Sequence, residues 1–293
     1  MRVLIKLFSV SFLICSVLYV FSGVASAARA EDPSLTILLV GFDDSPSNTD
    51  VLALVSYDSA SNSVRAIQLP RDTYVNYGDK KGKINGFYSY KKIKGETHTE
   101  ALQSLSDKVS DLLGVKIDGS FAITTDGFVD LVDYLGGVSL DLESVPEPLR
   151  SGAVSESGKI RLDGEAALNF VRFRKGYIRA DLERMDAQKL FAKALFNTIK
   201  SKREFFSLFK FISSNNEISF EIDKGHALAF AMQNVFKAAS ADFQITTLPG
   251  QAVKGQDTWY YIISRKESEL LLEEYFPNSH KNFDEENNFI YEL

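Results

Sequence analysis

Apolar residues in this chain follow two rhythms. Residues 35–41, LTILLVG, are an unbroken apolar run, as in a strand covered on both faces. Residues 50–58 (DVLALVSYD) and 64–70 (VRAIQLP) follow, joined by the turn cluster SASNS, which predicts a hairpin. The period then lengthens to that of a helix. In THTEALQSLSDKVSDLLG, Leu102, Leu105, Val109, Leu112 and Leu113 share one helical face, Thr97 and Glu100 form a capping box, and Gly114 supplies the stop. SFAITT reads as a strand, DGFVDLVDYLGG as a short helix with Phe128, Leu131, Val132 and Leu135 inward, and VSLDL as a strand. Asp163 opens a helix over DGEAALNFV, and a longer helix is expected from about residue 181 to 200. A helix near 227–238, strands FQITTL and TWYYII, and a last helix capped by Ser264 and Glu267 complete the reading. Helices alternating with buried strands predict an α/β fold, a three-layer α-β-α sandwich around a sheet made mixed by the hairpin.

The first 30 residues break both rhythms. MRVLIK is a short basic start, followed by 22 charge-free, mostly apolar residues ending in ASAA. That length spans a bilayer, and the small residues resemble a signal-peptidase site, so residues 1–30 read as a signal peptide or an N-terminal membrane anchor. The basic start puts the remainder, residues 31–293, outside the cytoplasm as a single domain. Cys15, the single cysteine, lies in the apolar run, so the exported part has no disulfide and depends on its core. The net charge of -6 argues against nucleic acid as a partner. Any anion site must be a local concentration of basic residues.

Three charged clusters fall at expected element ends. The first, GFDDSPSNTD, places Asp43, Asp44 and Asp50 between two apolar strands. Carboxylates so spaced suit a hard cation such as Mg²⁺, although Asp, Asn, Ser and Pro are also ordinary turn residues. The second, LPRDTY followed by KGKINGFY, sets Arg71 and Asp72 side by side at a strand end, with Lys83 nearby. Charges there must stay wet, pair, or bind something. Arg71 offers a planar fork for phosphate or carboxylate; it serves equally to close a strand end by pairing with a carboxylate. The third is FVRFRKGYIRADLERMDAQ. Read as extended, it puts Arg172 and Arg174 on one face, while Arg179 and Arg184 flank a helix start that favours anions. The histidines His98, His226 and His280 fit no zinc pattern, and no nucleotide-loop fingerprint occurs.

The order ILLVGFD, TDVLALVS, LPRDTYV, KIN, GFVDLVDYLGGVSLDL, LDGEAALNFVRFRK, RADLERMDAQ resembles the LytR-CpsA-Psr family over residues 35–276. The resemblance implies an extracytoplasmic phosphotransferase that moves a glycopolymer, such as teichoic acid or capsule, from an undecaprenyl-pyrophosphate carrier to peptidoglycan. A pyrophosphatase side activity belongs to the same expectation. Carried over by motif, Asp43 and Asp50 would hold Mg²⁺, and Arg71 and Asp72 belong to the catalytic PRD motif. Lys83, Arg172, Arg174, Arg179, Arg184 and Gln188 would bind the pyrophosphate. Asp43, Asp50 and Asp72 are all candidates for the general base. A prenyl chain would need an apolar cleft, expected from residues 121–135 and 191–196.

The chain departs from the family pattern at Asn48 and Ala187, where arginines are usual, at Ala180, where glycine is usual, and in the short 43–50 loop. These departures keep a second reading open, a non-catalytic polyprenyl-pyrophosphate binder or regulator of the envelope. A surface adhesion domain is a third, but adhesion would not need arginines set among large apolar residues.

Overall fold

The computed structural model describes residues 34–43, 48–78, 80–150, 153–154, 157–173, 180–202, 205–222, 230, 233–234, 237–238, 240–256 and 258–277. The chain opens with a meander of three strands, β1 (Ser34–Phe42), β2 (Thr49–Asp58) and β3 (Ser63–Leu69). Asn62, at a φ of 51°, turns the β2–β3 hairpin in the cluster read as its turn. A small hairpin, β4 (Tyr74–Asn76) and β5 (Lys81–Lys83), precedes helices α1 (Phe87–Ile93) and α2 (His98–Leu113). The Thr97–Glu100 capping box forms, and Gly114 ends α2 in the left-handed conformation. Then come β6 (Gly119–Ile123), α3 (Thr125–Tyr134), β7 (Val138–Asp141), β8 (Ala153–Val154), β9 (Lys159–Leu162), α4 (Gly164–Arg172), α5 (Ala180–Lys202) and α6 (Phe205–Ser214). Strands β10 (Ile218–Ile222), β11 (Asp242–Thr247), β12 (Gly250–Lys254) and β13 (Trp259–Ile263), and helix α7 (Arg265–Tyr275), complete the described elements. Among these residues no helix is long and apolar enough to cross a membrane. The leader (1–30) lies outside the described residues, as does most of the helix expected near 227–238.

Six strands form the central sheet in the order β10-β6-β1-β2-β3-β11. β6 runs parallel to β1 and β11 parallel to β3, while the other neighbours are antiparallel, so the sheet is mixed as expected. One face is fully covered. Leu38, Val40, Leu52, Leu54 and Ile67 are buried there against α1, α2 and α7. Each such side chain contributes about 1.5–3 kcal/mol. The second face carries α3, α4, α5 and α6 and is covered less completely. Along β1, Leu38, Val40 and Phe42 are buried while Ile37, Leu39 and Gly41 are only half buried. α3 and α4 meet closely because Gly164 has no side chain. A Cβ there would lie 2.5 Å from the Val129 carbonyl oxygen, and its N–H donates to Asp133 Oδ1 at 2.7 Å.

Some expectations need correction. Arg172 ends α4 rather than lying in an extended segment, so the alternation argument placing it on one face with Arg174 lapses. Ser264 precedes α7, but its side chain makes no capping hydrogen bond.

His98 ties α2 to its neighbours. Nδ1 lies 2.8 Å from the Tyr88 hydroxyl and Nε2 lies 2.9 Å from Ser219 Oγ on β10. A neutral ring offers one donor and one acceptor to these hydroxyls, whereas a protonated ring offers only donors. Burial, then Lys92, holds its pKa below the ordinary 6.5, with Glu221 opposing. A folded-state pKa below the unfolded one gives stability that is present above about pH 6.5 and lost as pH falls toward the lower folded value. Thermal melts between about pH 7.5 and about pH 5 should therefore show a smaller loss for His98→Gln than for the unaltered chain. Equal losses would show that His98 does not contribute.

Candidate functional site

At one end of the sheet, where β1 ends and β2 begins, the pairing slips. Gly41 faces Val51, but Phe42 faces Thr49, leaving Asp50 as the extra residue of a bulge. Bulges re-aim side chains, and here Asp50 and Val51 both line a cavity on the incompletely covered face. Gly41 makes room for it, since a Cβ there would lie 3.1 Å from Val51 Cβ.

The cavity measures about 190 Å³. Its floor is Leu39 and Gly41 of β1 with Phe121 and Ile123 of β6, and its walls are Phe128 and Leu131 of α3, Leu168 and Val171 of α4, and Phe191, Ala192 and Leu195 of α5. Phe121, Ile123, Phe128, Leu131, Phe191, Ala192 and Leu195 belong to the two segments from which an apolar cleft was expected; β1 and α4 supply the rest. The polar members of its lining include Asp50, Arg172, Arg184 and Gln188. Arg184, on the second turn of α5, is only 3% exposed. Gln188, one turn on, accepts from Gln68 Nε2 at 2.6 Å and donates to the Val171 carbonyl at 3.2 Å.

Arg71 reaches the same place from the end of β3. Its guanidinium donates to Asp50 Oδ1 at 2.6 Å, both side chains about a quarter exposed. Asp72 turns away and pairs with Lys83 at 3.0 Å. Its carbonyl accepts from Tyr261 N–H at 2.8 Å, tying the turn to β13. Lys83 is in turn fixed by Tyr77, whose hydroxyl donates to the Lys83 carbonyl and whose pKa burial pushes up to about 12. Adjacent charges at the strand end are thus divided between two pairs, Arg71 with Asp50 and Asp72 with Lys83.

Buried polar atoms normally find partners. Among the described residues, five buried side-chain atoms make no hydrogen bond within the protein: Asp43 Oδ1, Thr49 Oγ1, Gln68 Oε1, Arg71 Nε and Arg184 Nε. Both arginines keep other interactions. Asp43 and Thr49 flank the β1–β2 turn, Gln68 and Arg71 lie at the end of β3 and Arg184 is in the cavity wall. Asp43 N–H closes the β1–β2 turn onto the Asn48 carbonyl at 3.1 Å. Three of the five atoms are oxygens, the donor type a hard cation takes. No group of three or more acidic, histidine or cysteine side chains able to hold a metal occurs among the described residues.

The LytR_cpsA_psr family profile matches residues 20–276. The chain belongs to the LytR_cpsA_psr family. It is 32% identical over 248 residues to the cell wall biosynthesis protein LcpA of Corynebacterium glutamicum, covering 76% of this chain and 47% of that one. It thus spans about half the length of that relative. It is 28% identical over 254 residues to the polyisoprenyl-teichoic acid–peptidoglycan teichoic acid transferase TagU of Bacillus mycoides, covering 83% and 78% of the two chains. TagT of B. subtilis superposes with a TM-score of 0.63 at 20% identity, over 86% of this chain and 95% of that one. TagT bound to LI-WTA superposes with a TM-score of 0.65 at 21% identity, over the same shares of the two chains.

Of the motif residues of this LytR_cpsA_psr chain, the fold gathers Asp50, Arg172, Arg184 and Gln188 around the cavity and joins Arg71 to them through Asp50. Asp43 directly follows β1 at the same edge, while Asp72 and Lys83 pair beside it outside the lining. Arg174 and Arg179 lie outside the described residues. Ala187, where the family pattern carries an arginine, packs in an apolar cluster with Phe170 and Phe191. Gln68 and Thr49 were not singled out by sequence. Gln68 carried a signal, a lone amide alternating with Val64 and Ala66 along one face of the strand.

A partly exposed ion pair contributes little to stability, about 0.2–1 kcal/mol. A double-mutant cycle with Arg71→Ala and Asp50→Ala, followed by urea unfolding, should give a coupling energy in that range. A coupling above about 3 kcal/mol would make the pair a structural element, as for a buried salt bridge.

Proposed function

We propose that this chain transfers a glycopolymer from an undecaprenyl-pyrophosphate carrier to peptidoglycan at the cell envelope. The observation that carries the reading is an apolar cavity whose lining includes two arginines, one almost fully buried, beside an aspartate held by a third. A prenyl tail is apolar and a pyrophosphate is a double anion, and few other ligands need both at one place. The names of TagU and of TagT bound to LI-WTA support the same substrate class.

In this reading the cavity holds the start of the prenyl chain, and Arg172 and Arg184 hold the pyrophosphate oxygens with charge-assisted bonds. Arg174 and Arg179 of the same motif join them. Gln188, fixed by Gln68, and Lys83 complete the anion's surroundings. An acceptor hydroxyl attacks the phosphorus that carries the glycan. A new P–O bond forms, the bond to the bridging oxygen breaks, and polyprenyl phosphate leaves. Arg71 faces the charge that builds on the transferred phosphoryl oxygens, with Asp50 orienting its fork. The hydroxyl proton passes to a nearby carboxylate. Asp43, whose Oδ1 has no hydrogen-bond partner among the described residues, and Asp50 are better placed for this than Asp72, which Lys83 holds. Asp43 and Asp50 would also hold Mg²⁺, which fits the oxygen donors here and would neutralise pyrophosphate charge. Water in place of the acceptor would give a pyrophosphatase side activity. A membrane anchor at residues 1–30 would keep the site near its carrier.

A second reading, a carrier-binding regulator that does not turn its ligand over, is favoured by Ala187, which replaces a family arginine with an apolar contact. Turnover of a lipid-linked pyrophosphate glycan by the purified chain, with and without Mg²⁺, decides between them. Transfer that needs Mg²⁺ supports the first; tight binding without turnover supports the second. Arg172→Ala and Arg184→Ala should each lower transfer by about 10–100-fold while the chain still melts cooperatively. Ala192→Trp, which fills the cavity, should abolish carrier binding. Full transfer in all three variants would show that the carrier does not bind at this cavity and its arginines.

A further inference from the structure

Helix α6 is unlike its neighbours. Six of its ten residues are large and apolar (Phe205, Phe206, Leu208, Phe209, Phe211 and Ile212), yet none of its side chains from 207 to 214 is fully buried. Each of the other six helices buries at least one side chain. Phe209 is 54% exposed, and Phe211 stacks at 4.3 Å on Tyr134 of α3, itself 40% exposed. In water such an aromatic surface costs free energy and marks an interaction site.

The occupant is indicated by what lies beneath and beside the patch. Leu208, Phe211 and Ile212 pack against the cluster of Ile123, Leu131, Leu135 and Ile218, and Ile123 and Leu131 also line the cavity. α6 is therefore continuous with the apolar interior that would hold a prenyl chain, and a prenyl chain leaves a bilayer readily only where water does not intervene. The one charge on the helix itself, Lys210, is basic, while the acidic Asp130 and Glu217 are engaged by Asn215 and Thr124 past its C-terminal end. Short helices with aromatic residues on one side and basic residues beside them lie in membrane interfaces.

We propose that α6 docks on the surface of an anionic bilayer, with Phe209 among the acyl chains and Lys210 at the headgroups, beside the cavity that receives the carrier. This deepens the transferase reading and rests on it for the identity of the carrier. The contact is tested on the full chain in phosphatidylglycerol/phosphatidylcholine vesicles containing brominated lipid. Trp259→Phe leaves no tryptophan, and Phe209→Trp then reports on α6, with Ile93→Trp on α1 across the sheet as reference. Quenching at position 209 at least twofold stronger than at position 93 supports the contact. Equal quenching overturns it, as does self-association that buries position 209 without quenching. If the tryptophan variants do not fold, Phe209→Glu with Lys210→Glu provides the second test. It should lower transfer from vesicle-embedded carrier about tenfold and leave turnover of a water-soluble short-prenyl analogue unchanged. An equal loss on both substrates overturns the proposal. Should the unaltered chain turn over neither substrate, the transferase reading fails while the quenching still decides the membrane contact.

Discussion

A guanidinium and a carboxylate 2.6 Å apart at the rim of an apolar cavity set the terms for this site. Asp50 shares its cavity with Leu39, Phe121 and Phe128, and both charges stay about a quarter open to water, so the pair fixes where each points more than it stabilises the fold. The bulge at Asp50 makes the pair. Without the extra residue, the alternation of β2 would turn Asp50 away from the face that Val51 occupies. The resting site is thus a paired one, which a more highly charged ligand would have to reorganise.

The cavity exists because the two faces of the sheet are treated differently. α1, α2 and α7 seal one face with interlocking leucines and valines. On the other, α3, α4 and α5 converge but leave the half-buried positions of β1 and β6 uncovered between them. Deleting contacts in this way forfeits burial energy, and the chain retains the defect with a nearly buried arginine, Arg184, set into its wall. Buried polar atoms of Asp43, Thr49 and Gln68 at the same edge, without hydrogen-bond partners among the described residues, repeat the pattern. Local destabilisation concentrated at one place is what a binding site requires. Its pairing with the exposed aromatic surface of α6 gives the molecule one sidedness.

Much of this was legible in the chain. The capping box of Thr97 and Glu100, the stop at Gly114 and the turn at Asn62 are short-range effects, decided within four residues, and they formed as the pattern predicts. The mixed sheet followed from one hairpin and the alternation around it. Strand β10 and helix α6 were not read, because both are short and FFSLFKFISS opens with no acidic residue to mark a helix start. Arg172 was placed in the wrong element, since a helix that ends on a run of alternating residues looks extended from the sequence.

The sequence by itself determined the residue types, their spacing, the family and the local elements, because each depends on neighbours a few positions away. Only the tertiary structure decided which charge answers which. Asp50 and Asp72 are equal in chemistry, and Arg71 is chemically adjacent to Asp72, yet it bonds Asp50, 21 residues earlier, and leaves Asp72 to Lys83. That choice depends on a one-residue bulge and on the register of β2 against β1 and β3. The side-chain period of a strand is two, so a single inserted residue reverses which face a carboxylate presents, and no property of the carboxylate itself records it.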